Sequence, residues 1–151
     1  MHIVLIGAHP DDETFASGTI AKYVDRGHRA TIVHATRGGK GHWEIHSDEL
    51  REIRSREMTK AAENPGAVEM SLDFEDDSVP PGEVLREAFV NVYRQLTPDI
   101  VLPFSPPVRR HDHRRVADAA SVARIHATPL LSVTRDQVLR PELAALICAA
   151  A

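Results

Sequence analysis

IVLIGAHPDDE, residues 3–13, decides how the rest of this chain is read. Ile3 to Ile6 form an unbroken aliphatic run with no polar alternation, which reads as a strand buried on both faces, as in a parallel sheet. Gly7 and Ala8 close it. Next come a histidine, a proline and three acids, where a helix would ordinarily begin. Acids at a helix N-terminus are favoured by the macrodipole. Three in a row behind a buried strand also repel one another and lose hydration, a cost that a bound cation offsets.

Outward from that stretch the chain alternates. Phe15, Ile20, Tyr23 and Val24 recur at near-helical spacing until Asp25, Arg26 and Gly27 end the segment. RATIVHA, residues 29–35, supplies a second strand, followed by the glycine-rich polar loop TRGGKGHWEIH. A charged helix is expected from Ser47 to Asn64, capped by Ser47, with Leu50, Ile53, Met58 and Ala61 for its apolar face. Pro65 and Gly66 stop it. AVEMSL reads as a third strand and DFEDDSVPPG as a loop. Glu83 to Leu96 form a third helix carrying Val84, Leu85, Ala88, Val92 and Leu96, and IVLPF is a fourth strand. SPPVRRHDHRR, residues 105–115, is expected as an irregular loop before a helix from Val116 to Ile125. A short strand, LLSVT, and an apolar helix from Pro141 to Ala150 are expected after Pro129. This alternation argues for right-handed βαβ units in a Rossmann-like, three-layer α/β domain with a mostly parallel sheet. One domain is expected over residues 1–151, without repeats or linkers.

Bulk properties exclude several function classes. A chain of 151 residues buries roughly 70 % of the surface its unfolded form exposes, enough for one core. With 18 basic against 22 acidic residues, no cationic excess exists to hold nucleic acid by counterion release. No apolar stretch approaches the ~20 residues that span a bilayer, and the start lacks a basic region and a cleavage pattern. The single cysteine, Cys148, fits a reducing cytoplasm and implies no catalytic thiol. Nine histidines are many for this length, and three of them cluster with acids or near one another.

HPDDE follows strand one and RRHDHR follows strand four, so both fall at the carboxyl edge of the sheet, where ligands of such folds bind. A catalytic zinc takes three protein ligands and leaves a position for water. His9, one of Asp11 or Asp12, and a histidine from the second cluster would complete that set. The remaining aspartate is then available as general base toward the water. Against this stands the plain alternative of surface carboxylates at a helix start; two separate His/Asp clusters at one edge favour the metal.

AHPDDE at 8–13 resembles the signature of the PIG-L or LmbE-like family of zinc-dependent N-acetylglucosamine de-N-acetylases. TRGGKG at 36–41, IRSREMTKAA at 53–62, LDFEDD at 72–77, PDIVLPF at 98–104 and DHRRV at 112–116 resemble further family blocks, in family order. The resemblance implies that His9, Asp12 and His113 hold Zn2+ or another divalent transition metal, that Asp11 is the general base, and that Asp112 orients a catalytic histidine. It further implies substrate contacts from Arg54 and Asp76, with Asp77 as runner-up. The family pattern reads His, any residue, Asp, His; Arg110 stands here where the first histidine is usual, and His111 follows it. Arg110 can stabilise an oxyanion by charge but is a poor proton donor; His111 is the alternative donor. The chain also ends about 38 residues beyond His113, shorter than family members usually do.

The implied activity is metal-dependent hydrolysis of the acetamide of an N-acetylglucosamine-type glycoside or glycolipid, in the cytoplasm, with a homo-oligomer left open. An amidase on a thiol conjugate of a related pseudo-disaccharide shares the same site. A catalytically silent sugar- or metal-binding domain is the rival suggested by Arg110 and the short tail. A nucleotide-binding module lacks support because GAHPDD puts acids where a pyrophosphate needs bare amides. His42, Trp43 and His46 lie in a loop able to cover a pocket, and Trp43 could stack on a pyranose or merely anchor the loop. His2, His28, His34 and His126 are expected to pack or lie at the surface.

Overall fold

A computed structural model describes residues 1–103 and 111–127. Strands β1 (His2–Gly7), β2 (Arg29–Thr36), β3 (Val68–Phe74) and β4 (Ile100–Pro103) form a sheet of order β3-β2-β1-β4. All three pairings are parallel. Every residue of β1 is buried, as its unbroken aliphatic run requires of a central strand.

Helices α1 (Ser17–Val24) and α2 (Ser47–Glu63) lie on one face, and α3 (Glu83–Leu96) and α4 (His111–Ala127) on the other. Alternation along β1 and β2 divides the core accordingly. Leu5, Ala30 and Ile32 pack with Ile20 of α1 and Ala62 of α2. Val4, Ile6, Val33 and Ala35 pack with Leu85, Phe89 and Val92 of α3 and Val116, Ala120 and Ala123 of α4. The Rossmann-like, layered α/β architecture expected from the sequence is therefore the one observed.

Local differences have physical reasons. Helix α4 begins at His111 rather than Val116, so His111, Asp112 and His113 occupy a helical first turn in which an acid suits the macrodipole. Helix α2 is capped by His46, whose ring accepts from the amide of Asp48, while Ser47 is already helical. Ala62 rather than Ala61 is buried on α2. On α3 the buried stripe runs through Leu85, Phe89, Val90, Val92 and Tyr93, leaving Val84 exposed. Phe15 lies in a 3-10 turn, Asp12–Phe15, and is exposed instead of joining the first helix face. His2 packs as expected, its ring bonded to the Leu96 carbonyl and the Thr31 hydroxyl, both at 2.8 Å. The expected strand LLSVT, the helix from Pro141 and Cys148 lie outside the described residues.

Candidate metal and catalytic site

The strand order places β1 between β2 and β4. The connection after β1 leads to α1 and then β2 on one side, while β4 sits on the other, which is the switch point where such sheets open a crevice. The loop after β1 carries His9 to Glu13, and α4 brings Asp112 and His113 to the same place.

Gly7 makes the approach possible. A Cβ on it would lie 2.9 Å from the Cβ of Asp12 and 3.3 Å from Cδ2 of His34, so only a glycine lets the loop fold back over the strand end. Asp12 is buried, its Oδ2 accepting from the amides of Ala8 (2.7 Å) and His9 (3.0 Å). Its Oδ1 faces Nε2 of His113 at 3.0 Å. The rings of His9 and His113 meet edge to face, centroids 4.8 Å apart. One donor atom from each of His9, Asp12 and His113 lies within 4.8 Å of the others.

Asp112 is buried, and its Oδ2 receives Nε2 of His9 at 3.1 Å and the amide of Asp77 at 2.7 Å. In this structure Asp112 thus orients His9. The Nδ1 of His9 is buried with no hydrogen-bond partner among the described residues. A carboxylate on one imidazole nitrogen with the other nitrogen bare is the arrangement that prepares a histidine for a metal. Two imidazoles and a carboxylate suit zinc or a neighbouring transition ion, so the residues present fit such a group.

Asp11 is exposed, with φ 116°, in the left-handed region. Desolvation by the protein behind it, then the charges of Asp12 and Glu13, raise its carboxyl above the ordinary aspartate value, while His9 and Arg54 pull the other way. The half-buried Arg54 bonds to Glu57 at 3.1 Å and packs on the glycine-rich loop: a Cβ on Gly38 would lie 3.2 Å from its Cγ. Asp76 is buried and accepts from the amides of Gly38 (3.2 Å) and Lys40 (2.8 Å), tying that loop down. Asp77 is exposed, in left-handed backbone that aims its amide at Asp112. His111 is exposed at the start of α4, and Arg110 lies outside the described residues. Trp43 is exposed and stacks on His42, ring centroids 5.0 Å apart.

Glu13 has no task of its own in the sequence pattern, and His34 is expected to pack or lie at the surface. The two are bonded, Glu13 Oε2 to His34 Nε2 at 3.0 Å, and the same oxygen accepts the Asp11 amide at 2.9 Å. Burial alone would raise the Glu13 carboxyl; the bond from His34 and the neighbouring amides outweigh it and hold it below the usual glutamate value. The available signal was a histidine on the same face of β2 as Ala30 and Ile32, at the strand end nearest the acids.

A Rossmann-like sheet with a His/Asp/His triplet and two further aspartates at its switch point defines a class of α/β domains with a metal-type site. The model of the PIG-L family, GlcNAc-PI de-N-acetylase, matches residues 4–124, and the chain belongs to that family. It is 32 % identical over 94 residues to the mycothiol S-conjugate amidase of Streptomyces coelicolor, covering 56 % of this chain and 32 % of the amidase. It is 28 % identical over 181 aligned positions to the 1D-myo-inositol 2-acetamido-2-deoxy-alpha-D-glucopyranoside deacetylase of Mycolicibacterium gilvum, covering 95 % of this chain and 63 % of the deacetylase. The chain therefore spans less than two thirds of either relative. Among solved structures, the N,N'-diacetylchitobiose deacetylase of Pyrococcus horikoshii superposes with TM-score 0.77 at 26 % identity, covering 91 % of this chain and 54 % of that one. The 4-carboxy-2-hydroxymuconate hydratase GalB of Pseudomonas putida superposes with TM-score 0.73 at 25 % identity, covering 82 % and 55 %.

Proposed function

We propose that this protein is a zinc-dependent hydrolase that removes the acetyl group from an N-acetylglucosamine-type glycoside or glycolipid. The observation that carries it is the convergence of His9, Asp12 and His113 within 4.8 Å, with Asp11 near enough to feel the charges of His9 and Asp12 and its amide bonded to Glu13. Family membership and the deacetylase relatives support the amide as the bond cleaved.

His9, Asp12 and His113 would hold the ion, which supplies Lewis-acid polarisation of the acetamide carbonyl and an acidified water. Asp112 fixes the ring of His9 through Nε2. Asp11 accepts the proton of the attacking water, a role suited to a carboxyl raised by its crowded surroundings. Arg54 stands close enough to Asp11 to bear on its charge and is proposed to contact the sugar at the pocket edge. Asp76 acts on the same sugar through the loop it ties to Gly38 and Lys40. His111 and Arg110 are the candidates for stabilising the tetrahedral oxyanion and protonating the departing amine, Arg110 by charge and His111 as proton donor.

The amidase relative favours a second reading at the same site, cleavage of a larger amide on a thiol conjugate. The cytoplasm is the compartment proposed, since it suits the one cysteine. No described helix is long and apolar enough to cross a membrane.

The test pairs zinc analysis with turnover of N-acetylglucosamine glycosides. Asp11→Asn should retain about one equivalent of zinc and lose activity by roughly two to four orders of magnitude, the usual contribution of a general base. His9→Ala should lose the zinc as well. Wild-type protein that binds no zinc, or that binds it and hydrolyses neither acetamide nor conjugate, overturns the assignment; turnover of an enol acid instead would align it with the hydratase.

A further inference from the structure

We propose that His34 is a positioning residue for this reaction, acting through Glu13 to hold the Asp11 backbone in the conformation that sets its carboxylate beside the metal donors. The inference rests on the assignment of Asp11 as base.

A non-glycine residue at φ 116° is strained, and such a conformation persists only where its surroundings over-determine it. Besides the Ala8 and His9 amides on Asp12, three bonds act on the backbone around Asp11: the Asp11 amide to Glu13 Oε2 (2.9 Å), the Thr14 amide to the Asp11 carbonyl (3.0 Å) and the Asp12 amide to the His9 carbonyl (3.3 Å). The first is the one that grips the Asp11 amide itself, and it is charge-assisted, hence the strongest of the three. Its acceptor, Glu13, is 7 % exposed, so its charge requires a partner inside the protein.

That partner is His34, 1 % exposed on β2 and opposite Gly7 in the β1 register. Because an ionised carboxylate only accepts, His34 must present Nε2–H to it. The imidazole sits on an interior strand, flanked by β1 and β3 and hydrogen-bonded along both edges. Rigidity passes from β2 through the ring to Glu13, and from Glu13 to the amide of the strained residue. His34 itself is too buried to reach a substrate, so its effect must fall on the placement of Asp11 and leave binding alone.

Two substitutions separate this from bulk structure. His34→Gln keeps an N–H near the position of Nε2, whereas His34→Leu fills the space without a donor. In zinc-loaded protein the amide proton of Asp11 should resonate downfield, as a donor to a carboxylate does. It should move upfield in His34→Leu and return in His34→Gln. In the activity arm, His34→Leu should lower kcat roughly ten- to hundred-fold, as loss of a supporting partner does. KM should stay within about two-fold and bound zinc unchanged, with His34→Gln recovering most of kcat. An Asp11 amide shift identical in wild type and His34→Leu overturns the proposal, as does equal loss of activity in the Gln and Leu variants. Loss of zinc in His34→Leu also overturns it, because the effect would then run through the ligands. If wild type lacks hydrolase activity, the functional assignment fails and the amide comparison alone decides the positioning.

Discussion

Asp12 has both carboxylate oxygens engaged by the protein: two amides on one, the ring of His113 on the other. Its geometry depends on the missing side chain of Gly7, so Gly7→Ala should displace it. Zinc affinity should fall about ten-fold or more and stability by about 1–3 kcal/mol, the usual range for a group forced into packed space. Calorimetric zinc titration and thermal denaturation check both, and unchanged affinity would refute the steric account. At this scale the meeting of HPDDE with the second cluster was readable because crowded like charges demand compensation. The Glu13–His34 pair was not, since its members stand 21 positions apart and one is hidden in an aliphatic strand. Likewise the family resemblance implies an orienting role for Asp112, but only the fold shows that the ring it contacts belongs to His9.

Among the elements, the connection after β2 is tied at its backbone by one buried side chain. Asp76 accepts from two amides of a segment rich in glycine, which is otherwise pinned by the half-exposed ion pairs Arg37–Asp73 and Lys40–Glu75. Asp76→Ala should leave those buried amides unpaired at a cost of about 1–3 kcal/mol. Hydrogen exchange at Gly38 and Lys40 should accelerate, and KM for the sugar should rise more than kcat falls; protection equal to wild type would rule out the tether. The three earlier helices could be placed because their apolar residues recur on one face, and β1 because its aliphatic run is unbroken. The start of α4 could not. HDHRR carries no apolar period, and its helical state follows from Asp112 and Val116 being drawn into the site and the core.

For the whole molecule, one outer layer is fastened by a buried hydrogen bond between its helices. On one face Tyr93 of α3 donates its hydroxyl to the carbonyl of Ala120 on α4 at 3.0 Å, in the interior. Burial raises this phenol well above its ordinary value. A folded pKa above the unfolded one gives stability that is complete below the unfolded value, near 10.0, and is lost as pH rises toward the folded one. Thermal stability should therefore drop above about pH 10, and Tyr93→Phe, itself about 1 kcal/mol less stable at neutral pH, should show a smaller alkaline decline. A parallel decline in both proteins would show that other groups govern it. The order β3-β2-β1-β4 has one more effect. His9 and Asp112 are separated by 103 positions and become neighbours only once the last described strand has joined the first. Closing so long a loop is slow and entropically unfavourable. A chain still emerging during synthesis therefore owns half of the proposed metal site, and on that proposal zinc uptake by a refolding sample should lag behind the appearance of helix, marking the moment at which the tertiary topology is complete.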